Sequence, residues 1–224
     1  MKTLWVFARS SGRTAANFTM RFLLIFQNIV IAISLLLLAF IPIAIQIFGY
    51  GFDFKGSLYL ISLSAVFFVM IIRPLADVTG WLWLRRLVIL RKGFGILSAA
   101  IIVGLLINTL VTPESTYLSS LLTPAYFSLN RLVLFAHIGD WSGLILLLTS
   151  NTFSQRLLKR NWKRIQRLSY VYFYAGAIYE AFTIGSLFAL YTLLVVTNLT
   201  ALAWAVNRLR RAESAVVSGA LVGA

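Results

Sequence analysis

Few side chains in this sequence can do chemistry, and those that can interrupt long apolar runs. Gln27, Asn28, Arg73, Asn108, His137, Asp140, Glu180 and Asn198 are the polar or ionisable residues set among hydrophobic neighbours. His137 is the single histidine, the chain has no cysteine, and the methionines Met1, Met20 and Met70 are not placed to act as paired ligands. His137 and Asp140 are three residues apart and share a helix face, so they could form a proton or metal site. Two residues make a poor metal cage, and a polar pair at a membrane boundary is the simpler account. Arg73 and Asp77, four apart, read as an ion pair that anchors a helix end. Gln27, Asn28, Asn108 and Asn198 read as hydrogen-bonding groups between helices, and Glu180 as a boundary carboxylate met by water or an arginine. There is no phosphate-binding glycine loop, no paired histidine on a helix and no carboxylate pair at acid–base spacing. Gly93-Phe94-Gly95 opens an apolar helix and follows no strand, so it is no dinucleotide signature.

The elements that must position these residues are set by composition. The chain of 224 residues is 60% hydrophobic and 12% charged, with a mean hydropathy of +0.90. A soluble domain of this size could not bury that much apolar surface in one core. The apolar residues come in blocks of about 20, the length that crosses a hydrocarbon core about 30 Å thick. Spans are predicted over Phe22 to Phe48, Ser57 to Ile72, Gly93 to Val111, Leu132 to Thr149, Ile165 to Phe182 and Ile184 to Val206. Pro42 predicts a kink in the first, Arg73-Pro74 the end of the second. The expected fold class is an all-α integral membrane bundle of about six transmembrane helices. Its parts are a basic N-terminal segment over 1–21, the helical domain over 22–207 and a loosely ordered tail over 208–224. Residues 112–130 are expected to lie along the outer surface.

The net charge of +14 could suggest nucleic acid, but its distribution excludes that partner. The basic residues cluster before the first span (Lys2, Arg9, Arg13, Arg21), after the second (Arg85, Arg86, Arg91, Lys92), between the fourth and fifth (Arg156, Lys159, Arg160, Lys163, Arg164, Arg167) and after the sixth (Arg208, Arg210, Arg211). The opposite loops hold Lys55 and Arg131. Such asymmetry marks the cytoplasmic side and predicts both termini there. The basic start runs straight into a long apolar segment without a small-residue cleavage site, which predicts an uncleaved first helix.

Three segments in order resemble the ferric reductase-like transmembrane domain family, nearest the haem-binding membrane subunit of the bacterial methionine sulfoxide reductase system. They are Arg73-Pro74-Leu75 to Thr79-Gly80-Trp81; Arg91-Lys92-Gly93-Phe94-Gly95-Ile96; and Leu148-Thr149-Ser150-Asn151 with Trp162-Lys163-Arg164-Ile165-Gln166-Arg167-Leu168 and Tyr170. The match covers about residues 57 to 182, and its last segment is the most specific. The resemblance implies a bacterial inner-membrane protein. That family ligates b-type haem with histidines on its third and fifth spans. Aligning the motifs places those positions at about Leu105, at Gln166 and at Tyr179, none of them histidine. Haem held by paired imidazoles in the family manner is therefore excluded, and His137 matches no family ligand.

The expected function is that of a non-catalytic, haem-less member of this fold. It would act as an accessory, structural or assembly subunit of a larger membrane complex, with a bioenergetic (electron-transfer or photosynthetic) complex as the candidate. Its 17 Phe, 9 Tyr and 6 Trp would face lipid, protein or pigment. No cofactor is expected. The alternative is an electron-transfer protein that holds haem b, quinone or a (bacterio)chlorophyll through non-family ligands such as His137. A small transporter is a third reading, opposed by the scarcity of polar residues within the spans.

Overall fold

The computed structural model describes the backbone of residues 2–48, 52–112 and 132–222, and the side chains of 19–47, 54–112, 132–151 and 153–213. The described residues are helical between short turns and include no strand. In chain order the helices are α1 (Lys2–Phe48), α2 (Phe52–Thr79), α3 (Leu82–Leu87), α4 (Arg91–Val111), α5 (Val133–Thr149), α6 (Thr152–Leu158), α7 (Trp162–Ile165), α8 (Leu168–Tyr179) and α9 (Leu187–Val222). A 3-10 turn, Val88–Leu90, joins α3 to α4, and a π-helical turn, Glu180–Ile184, follows α8. An all-helical chain is what a bilayer demands, because each backbone N–H and C=O must be satisfied within its own segment.

Among the described residues, four stretches are long and apolar enough to cross a membrane: Thr19–Ile47, Phe54–Thr79, Leu82–Val111 and Leu187–Glu213. A fifth appears when Val133–Thr149 is joined to Phe153–Ile165, although these two pieces meet at 92°. The predicted fourth span is a helix of 17 residues, uninterrupted by His137, Gly139 or Asp140. The predicted fifth is a 12-residue helix that runs into the π-helical turn.

Several boundaries differ from those predicted. Pro42 lies inside the first helix, within the predicted span, whereas Pro74 lies inside α2 and does not end it. A proline removes one ladder hydrogen bond without stopping a helix held by packing on both sides; beside them Ile41 and Ala76 are fully buried. The N-terminal 1–21 segment continues α1 from Lys2. The tail predicted to be loose continues α9 to Val222. The 112–130 segment and Arg131 lie outside the described residues, Thr112 excepted.

Packing sorts the helices into centre and periphery. The apolar window of Leu82–Val111 is 61% buried, against 28% for Thr19–Ile47 and 22% for Leu187–Glu213, so α4 is central while α1 and α9 flank the bundle. α1 packs chiefly on α4, α2 lies between α4 and α9, and α5 pairs with α8. One core cluster joins Leu63, Val66, Val69 and Met70 of α2 to Leu146 of α5, Phe173 of α8 and Val196 of α9. A second joins Ile41 and Ile45 of α1 to Leu58 of α2 and to Ile101 and Leu105 of α4. The outward faces of α1 and α9 are apolar, with Leu36, Ile47, Leu187 and Tyr191 largely uncovered. Basic clusters gather at one end of the bundle: Arg210 of α9 donates to the Asp77 carbonyl at the end of α2 (2.9 Å), and Arg91 and Lys92 share a cleft with Lys163 and Arg167.

Gly104 is what lets α1 approach α4. A Cβ there would lie 3.2 Å from Cβ of Ile41, a fully buried residue that cannot give way. In membranes, where no hydrophobic force drives helices together, such close approach supplies the contact energy. Gly104→Val is expected to lower stability by about 1–3 kcal/mol through overpacking. Gly56→Val, at a site open on all sides, should change it little. The midpoint of unfolding of the purified protein in mixed detergent–SDS micelles measures both.

Candidate functional site: a polar cavity inside the bundle

The cavity begins with small residues on α5 and α8. Gly139 and Gly143 are four apart and so share one face of α5. A Cβ on Gly139 would sit 3.7 Å from the Gly176 amide nitrogen of α8, and one on Gly143 would sit 3.1 Å from the Tyr172 ring. The two backbones therefore run close, and the Tyr172 ring lies across Gly143 toward α2 and α4. There its hydroxyl meets Ser98 Oγ at 2.8 Å and Ser62 Oγ at 3.3 Å, while the two serine oxygens are 2.9 Å apart. Ser62 Oγ also reaches the Ser98 carbonyl at 3.2 Å. All three residues are buried. Each hydroxyl can donate once and accept twice, so three of them form a cluster in which every proton has a partner. One polar knot thus binds three helices, α2, α4 and α8.

Beside this knot lies a cavity of about 110 Å³, room for a few waters. Asp140 of α5 and Glu180, which opens the π-helical turn, both line it, with Tyr59 and Ser62 of α2 and Tyr172 and Tyr179 of α8. π-helical turns are rare and frequent at functional sites. This one is closed by Gly185 in the left-handed region (φ 78°) and by Ser186 N donating to the Glu180 carbonyl (3.1 Å). Two carboxyl groups among phenols, in a cavity walled by apolar helices, can hold and pass a proton. A wider cleft of about 660 Å³ opens on the other side of the knot, at the basic end; Val66 and Tyr172 line both.

The structure redistributes the residues expected to matter. Asp140 lines the cavity, on the helix that Gly139 and Gly143 bring against α8. Its predicted neighbour His137 is half-buried on the same helix and lines neither cavity. Glu180 shares the cavity with Asp140, an association across 40 positions that no local spacing shows. The Arg73–Asp77 pair forms at 3.9 Å, with Arg73 66% exposed, so it adds little stability. Asp77 also receives a 3.5 Å contact from Asn207 Nδ2.

Among the amides, Gln27 is buried where α1 meets Gly93 of α4, and Asn108 is buried on α4. Asn28 is exposed on α1, and Asn198 donates to the Leu194 carbonyl of its own helix (2.8 Å), so neither joins two helices as expected. Ser62, Ser98, Tyr172 and Tyr59 were not singled out by sequence. Their only signal was a hydroxyl within an apolar span.

The three positions that the resemblance aligns with haem ligands fall in three environments. Leu105 packs against Ile41, Ile45 and Leu58, toward α1 and α2. Gln166 lines the basic cleft, and Tyr179 lines the acidic cavity. The alkyl and amide side chains offer iron no strong axial donor, and the phenol stands alone. These residues do not fit a porphyrin held between paired ligands.

No family model matches this chain, and no curated protein and no solved structure matches it.

Because each hydroxyl of the knot depends on the other two, Ser98→Ala and Tyr172→Phe should be strongly non-additive. A double-mutant cycle by SDS-driven unfolding is expected to give a coupling between about 0.6 and about 1.7 kcal/mol, the average and the upper limit for interhelical hydrogen bonds in lipid. A coupling near zero would show that the knot does not hold the bundle.

Proposed function

We propose that this chain is a haem-less relative of the ferric reductase-like transmembrane proteins, serving as an accessory or assembly subunit of a larger membrane complex. It would lie in the bacterial cytoplasmic membrane, crossing it six times with both termini inside. The observation that carries the reading is the donor set. Where the family places histidines, this chain has Leu105, Gln166 and Tyr179, and their side chains face three different regions of the bundle. A redox subunit stripped of its ligands retains the use of its surface.

The surface supports that use. The flanking helices α1 and α9 turn long apolar faces outward, with Phe22, Ile25 and Phe40 on one and Tyr191, Leu202 and Trp204 on the other. Such faces suit lipid or the helices of neighbouring subunits. The six-span count is supported by length. α5, and α8 together with its π-helical turn, each rise about 25 Å at 1.5 Å per residue, close to a hydrocarbon core of about 30 Å. The gathering of basic clusters at one end supports the orientation, because cytoplasmic loops carry the excess of Lys and Arg. Trp81, Trp83 and Arg208 over the Trp204 ring (5.4 Å) suit the headgroup level at that end.

The expected result of extraction from native membranes in a mild detergent is a defined particle larger than the 25.1 kDa chain, with fixed companion proteins. A homogeneous monomer without companions under the same conditions would overturn the subunit reading.

A further inference from the structure

The cleft at the basic end is too large and too unevenly lined to be a packing defect. Its volume of about 660 Å³ lies within the range of ligand pockets. Arg73, Arg91, Lys92, Lys163 and Arg167 line it, and among the described residues no carboxylate does. Arg73 has Asp77 nearby, but at 3.9 Å and largely in the open, so that pair neutralises little of the charge.

Arg91 is half-buried, and its Nε has no hydrogen-bond partner; the same holds for Nε2 of Gln166 on the opposite wall. Both are N–H donors, and burying a donor without an acceptor costs about 1–3 kcal/mol. Two such donors and five cations around one space ask for an anion rich in acceptor oxygens. The deep wall has the opposite character: Val66, Val69, Ile96 and Leu146 are apolar. The Trp162 and Tyr170 rings stand at the mouth, Trp162 held by donation from Nε1 to the Thr149 carbonyl (3.0 Å).

We propose that this cleft binds a phosphate-headed amphiphile, an anionic lipid whose headgroup sits among Arg91, Lys92, Lys163 and Gln166 and whose chain enters along α2 and α5. Basic pockets between transmembrane helices are a recurrent way to hold such headgroups. Inorganic phosphate would satisfy the cations yet leave the apolar wall bare. A neutral lipid would do the reverse. The site stands on this chain's own side chains and does not require the ferric reductase-like reading.

The test uses the full chain purified in a non-ionic detergent, with tryptophan fluorescence following titration by dioctanoyl phosphatidic acid, dioctanoyl phosphatidylcholine or inorganic phosphate. Phosphatidic acid is expected to saturate the signal, and the other two to have at least tenfold weaker effect. In Lys92→Gln/Lys163→Gln, which changes two exposed side chains of the cleft, phosphatidic acid should bind at least tenfold more weakly. Arg160→Gln/Arg164→Gln, with the same charge change outside the cleft, should stay within twofold of wild type. Equal loss in both variants would reduce the site to general surface charge and overturn the proposal. So would phosphatidylcholine binding as well as phosphatidic acid. Inorganic phosphate binding as tightly as the lipid would make this a free-anion site and overturn the amphiphile.

Discussion

Lipid offers no hydrogen bonds, so every polar group that enters a bundle of this kind has to find its partner inside the protein. The knot formed by Ser62, Ser98 and Tyr172 is the plainest response to that constraint here. It sits where α2, α4 and α8 meet, and the arrangement of the remaining helices follows from it. Tyr172 can reach the serines only because Gly143 leaves room for its ring. The same face of α5 carries Gly139 against Gly176, and this contact turns Asp140 inward to share a cavity with Glu180. On the other side of Tyr172 the bundle opens into the basic cleft. An acidic space and a cationic one thus lie on either side of a single tyrosine.

The division of labour among helices has a matching logic. α4 is the most enclosed, with Gly104 toward α1 and Ser98 toward the knot. α1 and α9 are the least enclosed, and their apolar outer faces are the broadest surfaces the bundle presents.

Much of the framework was legible in the sequence, because apolar length is a property of single segments. α1, α2, α4 and α9 could each be read from their own residues. Ends were less legible: Arg73-Pro74 looked like a stop, but packing of Ile72, Pro74 and Ala76 carries the helix past it. The site was largely illegible, because its contacts join distant positions; Ser62 and Ser98 are 36 residues apart, Ser98 and Tyr172 74. Asp140 could be flagged as an acid in an apolar run, yet its natural partner on sequence spacing was His137. Only the approach of α8 shows Glu180 to be the residue that shares its cavity. Gln166, noticed in the sequence only through a resemblance, lines a cleft with five cations, which no local spacing shows.

The proposal that this chain is a haem-less relative of a membrane electron carrier stands on the side chains of Leu105, Gln166 and Tyr179, which offer iron no paired axial donors. The most direct measurement is the visible spectrum of the protein purified from its own membranes with haem supplied during growth, oxidised and then reduced with dithionite. The account predicts no Soret band and no reduced alpha band attributable to the chain. Stoichiometric haem, with bands lost in Tyr179→Phe or His137→Ala, would contradict it.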